Sequence, residues 1–176
     1  MIVAPFIFGL LTILGLIVWY SWWYGITPTP TSPKVKRKLL EMSPSQLDGT
    51  IVELGSGWGT LAFALARRYP ACQIEAYEIS PIPYLFSKIV AQIGGYSNLT
   101  IMRRDFFTIS LSHANLIFCY LYPGAMTRLQ TKFENELPSG SFILSHTFAL
   151  PGWKPIRIDF VDYLYQTPVY LYQKLS

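Results

Sequence analysis

The residues best suited to chemistry lie in one stretch, residues 53–59, where a carboxylate precedes three glycines at alternate positions. Thr50–Leu54 is mostly apolar and β-prone, and the pattern becomes helical over Thr60–Arg68. The sequence therefore predicts a buried strand, a glycine turn and a helix. Glycines at this spacing let the backbone turn sharply and let a ligand approach main-chain atoms. We expect the turn to be a ligand-binding loop.

Two details of this loop distinguish between possible ligands. The dinucleotide-binding pattern is G-x-G-x-x-G/A, whereas here the third glycine comes one residue early and Thr60 stands where Gly or Ala is expected. Glu53 precedes the first glycine by two residues; it would repel a pyrophosphate but suits the α-ammonium of a methionine moiety. The loop therefore favours S-adenosylmethionine, with a nucleotide site and a purely structural turn as the alternatives.

Acidic residues also follow the next two predicted strands. Glu78 ends a strand that begins at Gln73, where a carboxylate in a βαβ unit can accept hydrogen bonds from both ribose hydroxyls. Asp105 and Phe106 follow a strand predicted at 99–103, where an acid can accept from an adenine amino group while the ring packs on its face. Taken singly, these residues would be a solvated acid and an ordinary turn. Their positions at successive strand ends favour ligand binding.

The rest of the chain continues this alternation of strands and helices. A helix opened by Ser80 and Pro81 is predicted to end at Gly94 and Gly95. Its predicted buried face consists of Tyr84, Leu85, Ile89 and Ile93. The later elements are strands at 115–120 and 141–145, a helix between them, and an antiparallel hairpin at 156–161 and 168–173. The fold class is therefore α/β.

The N-terminal residues 1–26 form the most apolar part of the chain. No charged residue occurs among residues 2–26, and at about 1.5 Å per residue a helix of that length crosses a hydrocarbon core of roughly 30 Å. Trp and Tyr cluster near its end, as at membrane interfaces. We expect a retained transmembrane anchor, a proline-rich linker at 27–33 and one domain at 34–176. A buried core helix and a signal peptide are the alternatives, but a basic n-region and a small-x-small cleavage site are both missing.

The net charge of +4 is confined to the start of the predicted domain. It equals the contribution of Lys34, Lys36, Arg37 and Lys38, because the remaining 10 basic and 10 acidic side chains cancel. Positive charge beside a spanning segment favours a cytoplasmic domain and anionic lipid headgroups. We therefore expect a single-pass protein of the cell membrane with its domain in the cytoplasm. A nucleic-acid surface is disfavoured, because no further basic excess or base-stacking motif is present.

The positions of the cysteines and histidines argue against a disulfide-bonded protein and against a metal-binding protein. Cys72 and Cys119 lie after a predicted helix and inside a buried strand, so we expect no disulfide. His113 and His146 have no further ligand at metal-binding spacing, so we expect no metal site. Neither a Ser-His-Asp order nor a P-loop is present.

Taken in order, the motifs of residues 33–176 resemble those of class I, seven-stranded S-adenosylmethionine-dependent methyltransferases. They are most similar to the small membrane-anchored methyltransferases related to the ATP synthase c-subunit lysine N-methyltransferases and to their bacterial relatives. The motifs are Pro28-Thr-Pro30 before a basic helix, Val52-Glu-Leu-Gly-Ser-Gly-Trp-Gly59, Tyr77-Glu78, Arg104-Asp105-Phe106, Tyr120-Leu-Tyr-Pro123, Glu136-Leu-Pro-Ser-Gly140, Ser145-His-Thr-Phe148 and Trp153-Lys-Pro155.

The resemblance implies a Rossmann-like methyltransferase sheet with a C-terminal antiparallel hairpin, preceded by one transmembrane helix. The residues expected to bind S-adenosylmethionine are Glu53, Gly55, Ser56, Gly57, Gly59, Glu78, Asp105 and Phe106. Tyr120 is expected to position the methyl acceptor, in an aromatic pocket that Tyr122, Phe148 and Trp153 could complete.

The expected activity is methylation of a lysine in a membrane protein. A short linker after the anchor would hold the active site near the bilayer, where its N-terminal helix contacts lipid. Two alternatives remain: a methyltransferase for a lipid, quinone or other small apolar acceptor, and a non-catalytic cofactor-binding scaffold.

Overall fold

One seven-stranded sheet organises the part of the chain that the structure describes. The structure is a computed structural model that describes residues 5, 7–9, 11, 12, 15, 30–162 and 166–175. From residue 30 onward the elements are α1 (Pro33–Met42), β1 (Thr50–Leu54), α2 (Thr60–Arg68), β2 (Gln73–Tyr77), α3 (Pro81–Ile93), β3 (Leu99–Met102), β4 (Ala114–Cys119), α4 (Pro123–Glu136), β5 (Phe142–His146), β6 (Arg157–Val161) and β7 (Thr167–Gln173).

The strand order is β3-β2-β1-β4-β5-β7-β6. The first five strands pair in parallel, whereas β7 runs antiparallel to both β5 and β6. The chain order reverses between β1 and β4, and ligands of open α/β sheets bind outside the carboxyl ends of strands at such a switch point. The predicted Rossmann-like sheet and C-terminal antiparallel hairpin are confirmed.

Buried side chains form one apolar layer on each face of the sheet. Helices α1 and α2 contribute to the first layer, which includes Leu39 and Leu65. Helix α4 contributes Met126, Leu129 and Phe133 to the second. A parallel sheet covered on both faces has strands that are almost continuously apolar, as β4 is.

Helix α1 begins with a side-chain cap and a proline in its first turn. The Ser32 side chain accepts a hydrogen bond from the Val35 amide at 3.3 Å, and Pro33 occupies the first turn. Lys38 forms ion pairs with Glu41 at 3.0 Å and with Asp159 at 3.1 Å, and the second pair joins α1 to β6. The helix is thereby attached to the antiparallel edge of the sheet.

The predicted buried face of α3 is wrong except at Tyr84, which is half-buried and packs against the first apolar layer. Leu85 and Ile93 are 57% and 83% exposed, and the buried residues of the helix are Pro83 and Ser87. The reason is the neighbouring glycine turn: a Cβ atom on Gly59 would lie 2.9 Å from the Ser87 Cβ. Only a small side chain fits at position 87, where α3 approaches the turn so closely.

The predicted membrane anchor lies largely outside the described residues. Among the residues that are described, none belongs to a helix long and apolar enough to cross a bilayer. Of residues 1–26 only seven are described, and of the predicted linker only 30–33. The anchor and the linker therefore stay predictions.

Candidate active site

A cavity of about 310 Å³ opens at the carboxyl ends of β1, β2 and β4. The structure brings eight of the nine predicted site residues together in its wall: Glu53, Gly55, Ser56, Gly57, Glu78, Asp105, Phe106 and Tyr120. The sheet topology explains this convergence, because parallel strands present their carboxyl ends at one edge. Residues far apart in sequence therefore share one site.

The glycines of the turn after β1 serve different purposes. Gly57 has a φ of 53°, its amide donates to Glu78 Oε2 at 2.8 Å, and nothing lies within 4 Å of its missing Cβ. Gly59 does not line the cavity, and its predicted part in cofactor binding stays a prediction. A Cβ atom there would meet Phe63 Cζ at 2.8 Å. Gly57 thus leaves space beside the ligand cavity, while Gly59 allows helices to pack.

Glu53 lies in the cavity wall, and one oxygen of its carboxyl group has no hydrogen-bond partner. The residue is 6% exposed, and its Oε2 atom has no hydrogen-bond partner. Burial raises the pKa of Glu53 to about 8; the Ala62 amide opposes this rise and the nearby Glu78 charge adds to it. A bound cation would satisfy the orphaned oxygen and favour the ionised carboxylate. The α-ammonium of a methionine moiety is such a cation.

Ser56, beside the first glycine, also has a buried polar atom without a hydrogen-bond partner. Its side chain is buried, and its Oγ atom lacks a hydrogen-bond partner. Unpaired buried polar atoms are uncommon in folded proteins, and each calls for an explanation such as a ligand or water. Two such atoms, on Glu53 and Ser56, lie in the wall of one cavity. This is the pattern expected of a site for a polar ligand.

Glu78 is held in place by the backbone on both sides. Its Oε2 accepts from the Gly57 amide at 2.8 Å, and its Oε1 accepts from the Ser80 amide at 2.7 Å. A carboxylate oxygen has two lone pairs, so each oxygen can accept one further hydrogen bond. A carboxylate fixed in this way is suited to bind a pair of neighbouring hydroxyl groups.

Asp105 and Phe106 form another part of the wall, after β3. Asp105 Oδ1 accepts from the Phe107 amide at 2.9 Å, and the rings of Phe106 and Phe107 lie 4.6 Å apart. Arg128 of α4 stacks over the Phe107 ring at 3.6 Å. Phe107 and Arg128 also line the cavity and were not predicted. Arg128 reaches this wall from a helix that follows β4, which sequence spacing alone does not reveal.

Tyr120, the predicted acceptor-positioning residue, belongs to an aromatic stack. Its ring lies 4.1 Å from the His146 ring and 6.2 Å from the Phe148 ring, with interplanar angles of 16° and 10°. Tyr122 lines the cavity as well, but Phe148 does not and instead stacks on the Tyr120 ring. The predicted aromatic pocket is therefore present only in part.

Trp153, the fourth aromatic residue of the predicted pocket, lies elsewhere. It contacts Tyr172 edge to face at 6.5 Å, and its indole N–H donates to Glu134 at 3.3 Å. It does not line the cavity. Trp153 therefore packs the loop after β5 against α4.

His146, the last residue of β5, is a cavity residue that sequence reasoning missed. Its side chain is buried, and its Nε2 atom has no hydrogen-bond partner. Burial lowers the pKa of His146 to about 4, so the ring is neutral at physiological pH. In the sequence, the spacing of His146 from other residues is informative only about whether it could be a metal ligand. The available signal was its place at the end of β5, beside the strand that leads to Tyr120.

The described ranges contain no group of three or more His, Cys, Asp or Glu residues arranged to hold a metal ion. Cys72 and Cys119 are both buried, and both are free thiols.

The fold and this cavity define the chain as a class I methyltransferase. Residues 53–157 match the family described as the ANTKMT methyltransferase domain, a span that is more than half of the chain. The chain belongs to this family. Membership confirms the enzyme class that the sequence predicts and, with it, S-adenosylmethionine as the methyl donor.

Several relatives are named as lysine methyltransferases of proteins. A protein-lysine N-methyltransferase of Saccharolobus islandicus is 29% identical over 136 residues, covering 76% of this chain and 83% of the relative. The mouse adenine nucleotide translocase lysine N-methyltransferase is 30% identical, covering 62% of this chain and 48% of its own length. The mouse lysine N-methyltransferase of the ATP synthase c-subunit is 27% identical, covering 61% and 43%. The chain thus spans about half the length of the mouse relatives.

Solved structures agree on the fold and differ in acceptor. An RNA methyltransferase from Salinibacter ruber, in complex with S-adenosyl-L-homocysteine, superposes with a TM-score of 0.72 at 24% identity, covering 84% of this chain and 95% of that one. An O-methyltransferase from Thermotoga maritima gives 0.69 at 17% identity, with 84% and 67% covered. The fold is therefore shared by enzymes that modify different acceptors, so it does not by itself identify the acceptor.

Proposed function

We propose that the chain is a membrane-anchored protein-lysine N-methyltransferase that acts on a membrane protein. The observation that carries this proposal is a single cavity whose wall combines residues at the carboxyl ends of β1 and β2, which we call its polar end, with residues at the carboxyl ends of β4 and β5, which we call its aromatic end. One end has buried, unpaired polar atoms on Glu53 and Ser56 beside the fixed carboxylate of Glu78. The other end is aromatic and uncharged, at Tyr120 and His146. The lysine methyltransferase relatives support lysine as the acceptor.

The residues at the polar end fit S-adenosylmethionine. Glu53 would bind the α-ammonium, Glu78 the ribose hydroxyls, and Asp105 with Phe106 the adenine. When bound, S-adenosylmethionine supplies a sulfonium methyl group whose carbon bonds to the acceptor nitrogen as the carbon–sulfur bond breaks, its electron pair leaving on sulfur. The protein's part is to hold donor and acceptor close and collinear. No covalent intermediate with the protein is needed.

The aromatic end fits an unprotonated amine. A lysine ammonium with a pKa near 10.4 must lose its proton before it can attack, which costs about 4 to 5 kcal/mol at neutral pH in water. An apolar wall disfavours the charged ammonium and so lowers this cost. Tyr120, Tyr122 and the neutral His146 ring line this part of the cavity.

The membrane part of the proposal rests on how the chain enters the domain. Pro30 and Thr31, at the end of the predicted linker, line the cavity. A transmembrane anchor at 1–26 would therefore hold the cavity close to the bilayer. The exposed cations Lys34 and Arg37 follow at once and suit an anionic cytoplasmic leaflet. A membrane-embedded acceptor would reach the cavity more readily than a soluble one.

Methyl transfer to fractionated cell extracts tests this function. The full-length protein and S-adenosylmethionine with a tritiated methyl group are added separately to membranes and to the soluble fraction of a strain lacking the gene. We expect label in membrane protein, recovered as methyl-lysine after hydrolysis. Label confined to the soluble fraction contradicts the membrane substrate.

The same experiment separates the alternative acceptors. Label that extracts into organic solvent would instead indicate a lipid or quinone acceptor, which an aromatic cavity end also suits. Binding of S-adenosylmethionine by calorimetry without label in any fraction would indicate a non-catalytic scaffold. Glu78→Ala serves as the control that should neither bind the donor nor label any fraction.

A further inference from the structure

His146 is held in the cavity wall with one ring nitrogen engaged and the other without a partner. Its Nδ1 lies 3.0 Å from Thr147 Oγ1, while its buried Nε2 forms no hydrogen bond. The ring is stacked on Tyr120 at 4.1 Å with an interplanar angle of 16°. The side chain is thus fixed by two independent contacts, and neither uses Nε2.

The backbone after His146 adopts an uncommon conformation that provides the Nδ1 contact. Thr147 has a φ of 67°, in the left-handed region that β-branched residues rarely occupy. The Thr147 amide donates to the Pro168 carbonyl at 2.9 Å, and the Phe148 amide donates to the His146 carbonyl at 2.7 Å. Outliers held by surrounding hydrogen bonds in this way cluster at functional sites. The turn orients the imidazole.

A purely structural role for His146 would not explain why its Nε2 atom is buried without a hydrogen-bond partner. A histidine needed only for packing is usually hydrogen-bonded when buried, because an unpaired buried polar atom lowers stability. In the described part of the chain, only three buried side-chain polar atoms lack a hydrogen-bond partner: those of Glu53, Ser56 and His146. All three residues line the same cavity. The first two suit the donor's amino-acid end, and His146 belongs to the aromatic end with Tyr120.

We propose that His146 binds the methyl acceptor directly, its Nε2 accepting a hydrogen bond from the unprotonated amine. This geometry requires Nδ1 to carry the ring proton and donate it to Thr147 Oγ1. The hydrogen bond holds one N–H of the amine and leaves the nitrogen lone pair free to face the methyl carbon. The inference rests on the proposed function, since it assigns a residue to its acceptor.

The charge of the ring supports this role. Burial lowers the pKa of His146 to about 4, so at neutral pH the imidazole can accept a hydrogen bond and carries no charge that would repel a cationic donor. A cationic lysine would find no acidic partner on His146, Tyr120 or Tyr122. The acceptor end therefore selects the neutral amine, which is the nucleophilic form.

Three substitutions of His146 separate the Nε2 contact from packing. His146→Gln places a polar atom near the position of Nε2, His146→Asn keeps one near Nδ1, and His146→Phe keeps the ring stack alone. We expect His146→Gln to stay within about fivefold of wild-type kcat/KM for the membrane acceptor, and the other two to lose about 10- to 100-fold. Calorimetry should give all three a Kd for S-adenosylmethionine within about twofold of wild type.

Two results of the turnover assays would overturn the assignment. One is His146→Asn or His146→Phe with wild-type turnover. The other is His146→Gln that is no more active than His146→Asn, since Nε2 would then have no special part. A parallel loss of donor affinity in all three variants would indicate a structural residue and would overturn it as well. If His146→Phe does not fold, the Gln and Asn pair decides.

The contact between His146 Nε2 and an amine can also be measured by binding alone, without methyl transfer. The chain has two histidines, and His113 is exposed and paired with Glu75, so it is an internal control. In NMR spectra recorded with S-adenosylhomocysteine present, addition of n-butylamine as a probe for the lysine side chain should shift the resonance of His146 Nε2. The resonance of His113 Nε2 should not move. The shift should grow as the pH rises toward about 10, with the unprotonated amine. An unmoved His146 resonance contradicts the proposal even if methyl transfer fails for other reasons.

Discussion

At the scale of single residues, Glu53 links protonation to both stability and ligand binding. Burial raises its pKa to about 8, above the ordinary value of 4.5 that it has in the unfolded chain. Its contribution to stability is therefore fully present below about pH 4.5 and is lost as the pH rises through about 8, on the order of 5 kcal/mol at most. Glu53 should therefore make the ligand-free protein less stable at pH values where its carboxylate is ionised and unpaired.

Substitution of this carboxylate should separate stability from function. We expect Glu53→Gln to raise the melting temperature of the ligand-free protein at about pH 8 and to flatten its dependence on pH. The same change should weaken S-adenosylmethionine binding by about 10-fold or more, because a charge-assisted hydrogen bond is lost. Thermal unfolding with and without the donor measures both effects. A variant less stable than wild type at this pH would contradict the burial argument.

Donor binding should also release a proton below the pKa of Glu53. Because the ammonium prefers the ionised carboxylate, affinity should rise about tenfold per pH unit between about pH 6 and 8. Calorimetry in buffers of different ionisation enthalpy measures the released proton. Affinity independent of pH over this interval would show that Glu53 does not meet the ammonium. Glu53→Gln is the matched control and should show no proton release.

Residue types and spacing predicted the polar end of the site better than its aromatic end. Glu53 and Glu78 could be inferred because each lies at a recognisable interval from the glycines. His146 was missed, because its contact with Tyr120 depends on the pairing of β4 with β5, in which Cys119 lies opposite Ser145. That register is a property of the folded sheet rather than of sequence distance.

At the scale of elements, the glycine turn constrains the helices packed against it. Gly59 has a φ of 76° and lies against Phe63 and Ser87, whereas Gly57 has open space beside it. The close contact explains why the buried residue of α3 at this point is the small Ser87, whereas Ile93, which the apolar spacing predicted to be buried, is exposed. The positions of the helices followed from the sequence, but the buried face of α3 was decided by a steric contact with another element.

Matched alanine substitutions in the glycine turn test whether Gly59 is needed for helix packing and Gly57 for donor binding. Gly59→Ala should destabilise the fold by about 2 to 4 kcal/mol, because the backbone strain is joined by overlap with Phe63 and Ser87. Gly57→Ala should cost only about 1 to 2 kcal/mol, from the left-handed backbone alone, yet should weaken donor binding. Denaturant unfolding and calorimetry measure the two. Equal loss of stability in both variants would contradict the packing role of Gly59.

At the scale of the whole molecule, the Rossmann-like sheet with its C-terminal hairpin could be predicted, because strands and helices alternate regularly and the motifs of residues 33–176 resemble those of one family in order. The cavity is built by the described chain from residue 30 onward, and the entering linker forms part of its wall. The sequence suggested a short tether but gave no reason to expect that Pro30 and Thr31 would lie at the site. That contact depends on where α1 packs on the sheet.

Removal of residues 1–26 should therefore separate binding from substrate access. The truncated protein should keep its Kd for S-adenosylmethionine within about twofold, because the cavity lies in the retained part. Labelling of membrane protein should fall by about 10-fold or more, since the anchor no longer concentrates the enzyme at the bilayer. Fusion of an unrelated transmembrane helix to residue 27 is the control and should restore labelling. Unchanged labelling after truncation would contradict membrane anchoring as a requirement.

The most direct measurement is a crystal structure of the protein with S-adenosylhomocysteine, which keeps the amino-acid and adenosyl groups of the donor. We predict its α-ammonium within hydrogen-bonding distance of Glu53, its ribose hydroxyls on Glu78, and its sulfur directed toward Tyr120 and His146. A ligand that lies outside this cavity, or one that leaves either carboxylate without contact, would contradict the proposed site.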